Sequence, residues 1–139
     1  MWIYYAILSA IFAALTTIFA KIGLKGVDSN LATAIRTCII IVIVWLIVAF
    51  SDGLCSIKNL TRANWIFLIL SGIATGISWL FYFKSLQLGT ASKVASIDKL
   101  SIVFTLLLSF LILKEPFSWK LLIGVTLIVG GSLFILIDK

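Results

Sequence analysis

Long apolar runs separated by short polar breaks dominate the chain. Five such runs lie at about 2–20, 31–50, 65–83, 91–113 and 120–137. Since about 20 apolar residues cross the hydrocarbon core of a bilayer as an α-helix, each run is long enough to span once. The pattern therefore predicts an all-α transmembrane fold, a bundle of five helices.

The breaks between the runs carry residues that end or start helices. Asp52 and Gly53 indicate a turn in the longest break. Side chains of Ser, Thr, Asp and Asn accept hydrogen bonds from the first free amides of a helix. The expected caps are Asp28, Ser29 or Asn30 for the second helix, Thr61 or Asn64 for the third, and Ser118 for the fifth.

Composition leaves no room for a soluble domain. Hydrophobic residues make up 63% of the 139 residues and charged residues 12%, about half the charged share of a typical soluble domain. We therefore expect one transmembrane domain over residues 1–139. The first run has no basic residue ahead of it and is too long for a signal-peptide core, so we expect it to be retained as a helix.

The residue types present argue against an enzyme. The chain has no histidine, which removes the usual general base and the commonest neutral metal ligand. Cys38 lies in the second run and Cys55 in a break, at different expected depths, so neither a disulfide nor a shared metal site is expected. We expect no catalytic residues, no cofactor and no metal.

The net charge of +6 comes from Lys and Arg residues placed singly in short breaks. This placement suits lipid headgroups and not nucleic acid. With an odd number of crossings, about four basic residues fall on the face of the N-terminus and about four to six on the opposite face. The near tie predicts insertion in both orientations; alternatively, the small surplus fixes the opposite face in the cytosol. Either way, we expect a multi-pass protein of the cell inner membrane.

Three charged residues fall inside the predicted hydrocarbon region. Arg36 lies about 8 Å along the second helix, and Asp98 and Lys99 lie about 10 Å along the fourth. Both helices enter from the same face, so a shared cluster is geometrically possible. The alternative is that Arg36 snorkels to the headgroups while Asp98 and Lys99 neutralise each other. Asp98 is too short to reach the interface, which favours a functional cluster.

Polar and aromatic side chains form stripes on two predicted helices. On the fourth helix the stripe contains Asp98, Ser101, Thr105 and Ser109, and on the third it contains Ser71, Thr75, Ser78, Tyr82 and Ser85. Trp79 lies about 40° from Thr75 around the third helix. The stripes indicate a polar path, although Ser and Thr in membrane helices also serve in packing alone. Gly72 and Gly76 form a GxxxG pattern that permits close helix approach.

Residues 19–36, 86–101 and 113–119 resemble EamA-type members of the drug/metabolite transporter superfamily. The shared order is an arginine in the second helix, Arg36, then an aromatic third helix, then Glu115 and Pro116 before the last helix. Many relatives have ten helices in two inverted repeats, and this chain resembles one repeat. The resemblance implies export or exchange of metabolites by alternating access. Relatives often carry a proline near the position of Ser101; this chain does not, and we expect an uninterrupted fourth helix.

One repeat supplies half of an alternating-access transporter, so we expect an antiparallel homodimer, surrounded by membrane lipid, that moves a small polar or amphipathic molecule. The candidate substrate-binding residues are Arg36, Trp79, Tyr82, Asp98, Lys99 and Thr105. Two basic residues against one acidic residue favour substrates with a carboxylate or phosphate. The alternatives are an accessory subunit of another membrane protein and a flippase for lipid-linked solutes.

Overall fold

The computed structural model describes residues 1–51, 57–116 and 118–137. The expected turn at Asp52 and Gly53 lies outside the described residues, and so does Cys55. Within the described ranges the secondary structure is helical without strands, and five segments are long and apolar enough to cross a membrane. The predicted fold class, an all-α transmembrane protein of five spans, is confirmed.

The five spans match the predicted apolar runs or extend beyond them. The helical elements are α1 (Trp2–Gly23), α2 (Ser29–Phe50), a 3₁₀ turn (Ile57–Asn59), α3 (Arg62–Leu88), α4 (Ala91–Asp98), α5 (Ser101–Leu108), a π-helical turn (Ser109–Leu113) and α6 (Trp119–Ile137). Together, α4, α5 and the π-helical turn make the fourth span, Ala91–Leu113.

The helix starts follow the predicted caps. The Asp28 carboxylate accepts hydrogen bonds from two amides at the start of α2, at 2.8 and 3.2 Å. The Thr61 hydroxyl accepts one from Asn64 N at 3.2 Å, directly ahead of α3. Helix α6 begins at the residue after Ser118. Local polar side chains therefore set where these helices begin.

Helix α3 extends beyond the apolar run that predicts it. The run covers 65–83, whereas the helix covers Arg62–Leu88. Residues 84–88 include polar side chains but neither glycine nor proline, so the helix continues to the residue before Gly89. Hydropathy marks the part of a helix that lies in hydrocarbon, not its full length.

The predicted run over 91–113 is one of the five membrane-crossing helices, and within it residues 99–100 form a turn between α4 and α5. Four amides around this turn donate to carbonyls three residues back, at 2.9 to 3.2 Å: those of Lys99, Leu100, Ile102 and Val103. Bonds of this spacing are those of a 3₁₀-helix, which is tighter than an α-helix. We call residues 99–100 the interruption.

Hydroxyl groups flank the interruption, although Thr33, Thr37 and Thr75 make the same kind of bond within the unbroken helices α2 and α3. Ser96 Oγ donates to the Ser92 carbonyl at 2.8 Å, and Thr105 Oγ1 donates to the Ser101 carbonyl at 2.9 Å. Such bonds to the carbonyl four residues back compete with the backbone ladder and bend membrane helices. Asp98, at the end of α4, is also a poor helix former. The span is interrupted without a proline.

The fourth span ends in the π-helical turn. Lys114 follows in the left-handed region, at φ 53° and ψ 35°, which for an L-residue costs on the order of 1–2 kcal/mol. The Ser109 carbonyl accepts hydrogen bonds from Lys114 N and, at 3.3 Å, from Glu115 N, and these bonds offset that cost. They hold Glu115 close to the end of the span.

The chain divides into two compact units, Phe19–Gln87 and the combination of Met1–Ile18 with Leu88–Lys139. The first unit buries Leu24, Ser29, Thr33, Phe83 and Leu86, and the second buries Val94, Val125 and Ser132, where α4 packs against α6. Between 0% and 11% of the most apolar stretch of each span is buried. Most apolar side chains are thus left for lipid or for another chain.

Candidate functional site

Arg36 and Trp79, two of the predicted binding residues, lie together between α2 and α3. The guanidinium carbon of Arg36 is 4.4 Å from the centroid of the Trp79 ring and 5.2 Å from that of Phe83. At these distances a cation is attracted to the negative face of an aromatic ring. Arg36 is half-buried, and Phe83 is 2% exposed. The aromatic residues of α3 therefore form a platform for Arg36.

Contacts at the end of α3 position the platform. Lys21 Nζ donates a hydrogen bond to the Leu86 carbonyl, and Gln87 Nε2 donates one to the Val27 carbonyl at 3.1 Å. Leu86 is fully buried beneath these bonds. The α1–α2 connection, which contains Gly26 at φ 74°, is thereby tied to the end of α3. This fixes the start of α2 and hence the level at which Arg36 meets α3.

The contact of Arg36 with Trp79 bears on the snorkelling alternative. Arg36 lies seven residues into α2, about 10 Å along its axis, and Trp79 lies nine residues before the end of α3, about 14 Å from that end. The guanidinium is nearer to Trp79 than to Phe83, which is closer to the end of α3. A snorkelling side chain would extend toward the headgroups instead. The contact with Trp79 favours the functional cluster over snorkelling, and the role of Arg36 stays a prediction.

Tyr82, also a predicted binding residue, is half-buried next to Phe83 on α3. The two rings meet edge to face, with centroids 6.5 Å apart and planes at 60°. Edge-to-face contact is a favourable arrangement for aromatic rings and fixes their orientation. Tyr82 therefore supports the aromatic platform, as a residue that shapes a cavity would.

Asp98, Lys99 and Thr105 belong to the other unit. Asp98 ends α4 and Lys99 begins the interruption, and both side chains are exposed. Within the described residues of this unit, no hydrogen bond or ion pair engages the Asp98 carboxylate. The Thr105 hydroxyl donates its hydrogen bond to the Ser101 carbonyl of its own helix, as hydroxyls that serve only in packing also do. Its oxygen stays available as an acceptor. The proposed cluster of Arg36 with Asp98 and Lys99 stays a prediction.

A cavity of about 210 Å³ lies at the end of the fourth span. Its polar lining residues are Thr105, Ser109, Glu115 and Ser118. The apolar ones are Ile102, Leu106, Phe110, Pro116 and Leu121. Glu115 was not among the predicted site residues; the sequence signal that could have found it is its place directly before the chain's one proline.

Among the described residues, no group of three metal-ligating side chains of the His, Cys, Asp or Glu type lies together.

Five helices that are long and apolar enough to cross a membrane define a multi-pass membrane protein. Residues 1–137 match the EamA-like transporter family, and the chain belongs to that family. A relative from Sinorhizobium sp., described as an uncharacterized transporter in the cobO 3' region, is 43% identical over 134 residues, which cover 96% of this chain and 95% of the relative. No solved structure matches the chain.

These comparisons confirm the resemblance that the sequence carries. The protein is a membrane transporter of the EamA type, with several membrane spans. A transporter of this type is expected to bind a small-molecule substrate and to contact lipid.

Proposed function

We propose that the chain is one half of an inner-membrane transporter that exports or exchanges a small polar or amphipathic metabolite by alternating access. The observation that carries this proposal is the interruption of the fourth span at residues 99–100, directly after Asp98. Transporters commonly build their substrate and ion sites from interrupted helices near the middle of the membrane. A 3₁₀ stretch inside a helix is also a frequent site of bending.

The interruption places charged groups where the helix is able to change shape. Lys99 has φ −66° and ψ −15°, close to the values of a 3₁₀ turn, so a modest change in ψ converts it back to an α-helix. Asp98 and Lys99 are the residues that such a change would reorient. In this proposal Arg36, Asp98 and Lys99 bind substrate or couple its movement to an ion. Trp79, Tyr82 and Thr105 shape the cavity.

The number of spans supports the proposal that two antiparallel copies form a dimer. Five helices correspond to one repeat, and alternating access requires a second repeat of opposite orientation. The matched relative, covered over 95% of its length, is also about one repeat long. A side chain at Gly72 or Gly76 would meet nothing within 4 Å in its unit, which leaves this face of α3 open to another copy.

The transport proposal is tested in proteoliposomes. Purified protein is reconstituted, and uptake is screened across amino acids, organic anions and cationic drugs against empty liposomes. Lys99→Gln, at the interruption, is expected to reduce uptake strongly. Lys93→Gln makes the same change of charge six residues earlier on the fourth span and should retain most of it. Equal uptake by the two variants would remove the interruption from the mechanism, and no uptake of any solute would favour an accessory subunit.

The dimer proposal is tested by topology. C-terminal reporters are expected to show both orientations of the wild-type chain, because its basic residues are nearly balanced between the two faces. Two or three added Lys residues in the 51–64 connection should fix one orientation and abolish uptake. Co-expression with a variant biased the other way should restore it. A single orientation of the wild-type chain would exclude the antiparallel homodimer.

A further inference from the structure

We infer that Arg36, held over Trp79, is the binding group for an oxyanion, the carboxylate or phosphate of a small amphipathic solute. This inference rests on the proposed transport function and adds the chemical class of the substrate. The geometry on which it depends lies within one unit, Phe19–Gln87.

The contact with the aromatic platform leaves the hydrogen-bonding groups of Arg36 available. A guanidinium over an aromatic face is held by the ring quadrupole, which engages none of its five N–H donors. Within the described residues of its unit, no acceptor bonds to the guanidinium. Planar N–H pairs of this kind match the two oxygens of a carboxylate or phosphate. Arg36 is therefore positioned and still has its donors unused.

The unit offers no counter-ion for Arg36. In the described parts of Phe19–Gln87 the one carboxylate is that of Asp28, and it is engaged by two amides at the start of α2. A charge inside the hydrocarbon region costs several kcal/mol unless it is paired or hydrated, and a cation–π contact returns about 0.5–2 kcal/mol. The remaining deficit calls for a partner from outside the unit, and in this proposal a bound anion, or water that an anion replaces, supplies it.

Open space next to the platform accommodates the apolar part of the solute. Gly76 lies one turn before Trp79 on α3, and a Cβ at that position would meet nothing within 4 Å in its unit. Ile40, one turn beyond Arg36 on α2, adds hydrocarbon on the same side. A solute with its charged group on Arg36 and a short apolar body pointing deeper into the span fits this arrangement.

The charges at the entrance favour the same sign of solute. The end of the span from which Arg36 is reached carries three lysines, Lys21 in the last turn of α1, Lys25 two residues after it and Lys84 near the end of α3, against one carboxylate, that of Asp28. A surface with an excess of one sign raises the local concentration of ions of the opposite sign. Anions are therefore attracted to this end of the unit and cations are repelled from it.

The test is a binding measurement on the whole chain in maltoside detergent, which contains neither carboxylate nor phosphate. Benzoate and phenyl phosphate are compared with benzylamine and benzyl alcohol, which share the ring, at ionic strength matched with sodium chloride. We expect the two anions to raise the thermal midpoint and the amine and alcohol to leave it unchanged. Equal shifts from all four probes, or no shift from either anion, would overturn the inference.

Variants then assign the effect to Arg36. Arg36→Lys keeps the charge and loses the planar donor pair, so benzoate affinity should fall at least about tenfold. Trp79→Phe weakens the platform and should lower the affinity less. Trp45→Phe, at an exposed position of α2, is the matched control and should bind like the wild type. If Arg36→Lys binds benzoate normally, Arg36 is not the anion site. The selectivity among wild-type probes stays informative even if a variant fails to fold.

Two further arms separate other sources of an oxyanion. If benzoate does not bind but added phospholipid stabilises the wild type and not Arg36→Lys, the oxyanion is a lipid phosphate and the inference fails. If Asp98→Asn destabilises the protein strongly and benzoate then rescues it no better than benzylamine, Arg36 is a structural partner of Asp98. Anion binding without uptake would contradict the transport proposal alone, and uptake of cations without anion binding would contradict this inference alone.

Discussion

A proline at Ser101 tests whether the fourth span is interrupted in the way the structure shows. Ser101 is the first residue of α5, directly after the interruption. A proline at the first position of a helix has no hydrogen bond to break, since the first amides of a helix lack partners within it. We therefore expect Ser101→Pro to fold and insert into the membrane.

The size of the effect follows from a comparison within α5. Leu107→Pro removes an amide inside the helix and brings the ring against the carbonyl four residues back, a change of about 3 kcal/mol. Ser101→Pro loses no helix hydrogen bond, because Ser101 is the first residue of α5. It has a different cost, since the preceding residue, Leu100, has φ −63° and ψ −18°, a conformation that a following proline disfavours. We expect Ser101→Pro to cost at least about 1 kcal/mol less than Leu107→Pro, the net value of one hydrogen bond.

The assay is the free energy of unfolding of each variant in detergent, with expression and membrane insertion recorded alongside. Leu107 is 50% exposed, so its substitution reports mainly on the backbone. Ser101→Ala serves to remove the hydroxyl without changing the backbone. Equal destabilisation by the two prolines would mean that 91–113 behaves as one continuous helix in the membrane, and the interruption would lose its meaning for transport.

Two other substitutions address the dimer and the coupling. Gly76→Leu should lower the fraction of cross-linked dimer while Gly76→Ala does not, because the space beside Gly76 is open within its unit; equal dimer fractions would exclude this face of α3 from the interface. Asp98→Asn should still exchange substrate but no longer accumulate it against a pH gradient, because the amide cannot exchange a proton. Its stability must match the wild type for this test, and full gradient-driven uptake would leave Asp98 as a structural charge.

The five spans and several helix starts were predictable because they depend on local properties of the chain. Hydropathy over about 20 residues identifies each crossing. Asp28 and Thr61 cap their helices through residues two or three positions away, so the sequence contains both partners of each bond. The ends of α3 were less predictable, because helix geometry continues past the apolar run until Gly89.

The interruption and the aromatic platform could not be predicted from the sequence, for different reasons. The 3₁₀ stretch contains no proline, and the hydroxyl bonds of Ser96 and Thr105 beside it also occur in the unbroken helices α2 and α3, so no residue type in the sequence marks it. The partnership of Arg36 with Trp79 depends on how α2 rotates against α3. That rotation is fixed by contacts at a distance, such as Gln87 with the Val27 carbonyl, which no periodicity reports.

The two units supply different mechanical properties that alternating access needs together. In Phe19–Gln87, the bonds from Lys21 and Gln87 tie the α1–α2 connection to α3 and hold Arg36 on its platform, so this unit is suited to keep a binding group in place. In the other unit, the fourth span has a 3₁₀ interruption and a π-helical turn, two places where the backbone departs from the α-helix. A transporter must change which face its site opens to while it keeps the substrate bound, so it needs an element with two arrangements of similar energy beside one that does not change. Under the proposed alternating access, we therefore expect the conformational change to begin at residues 99–100.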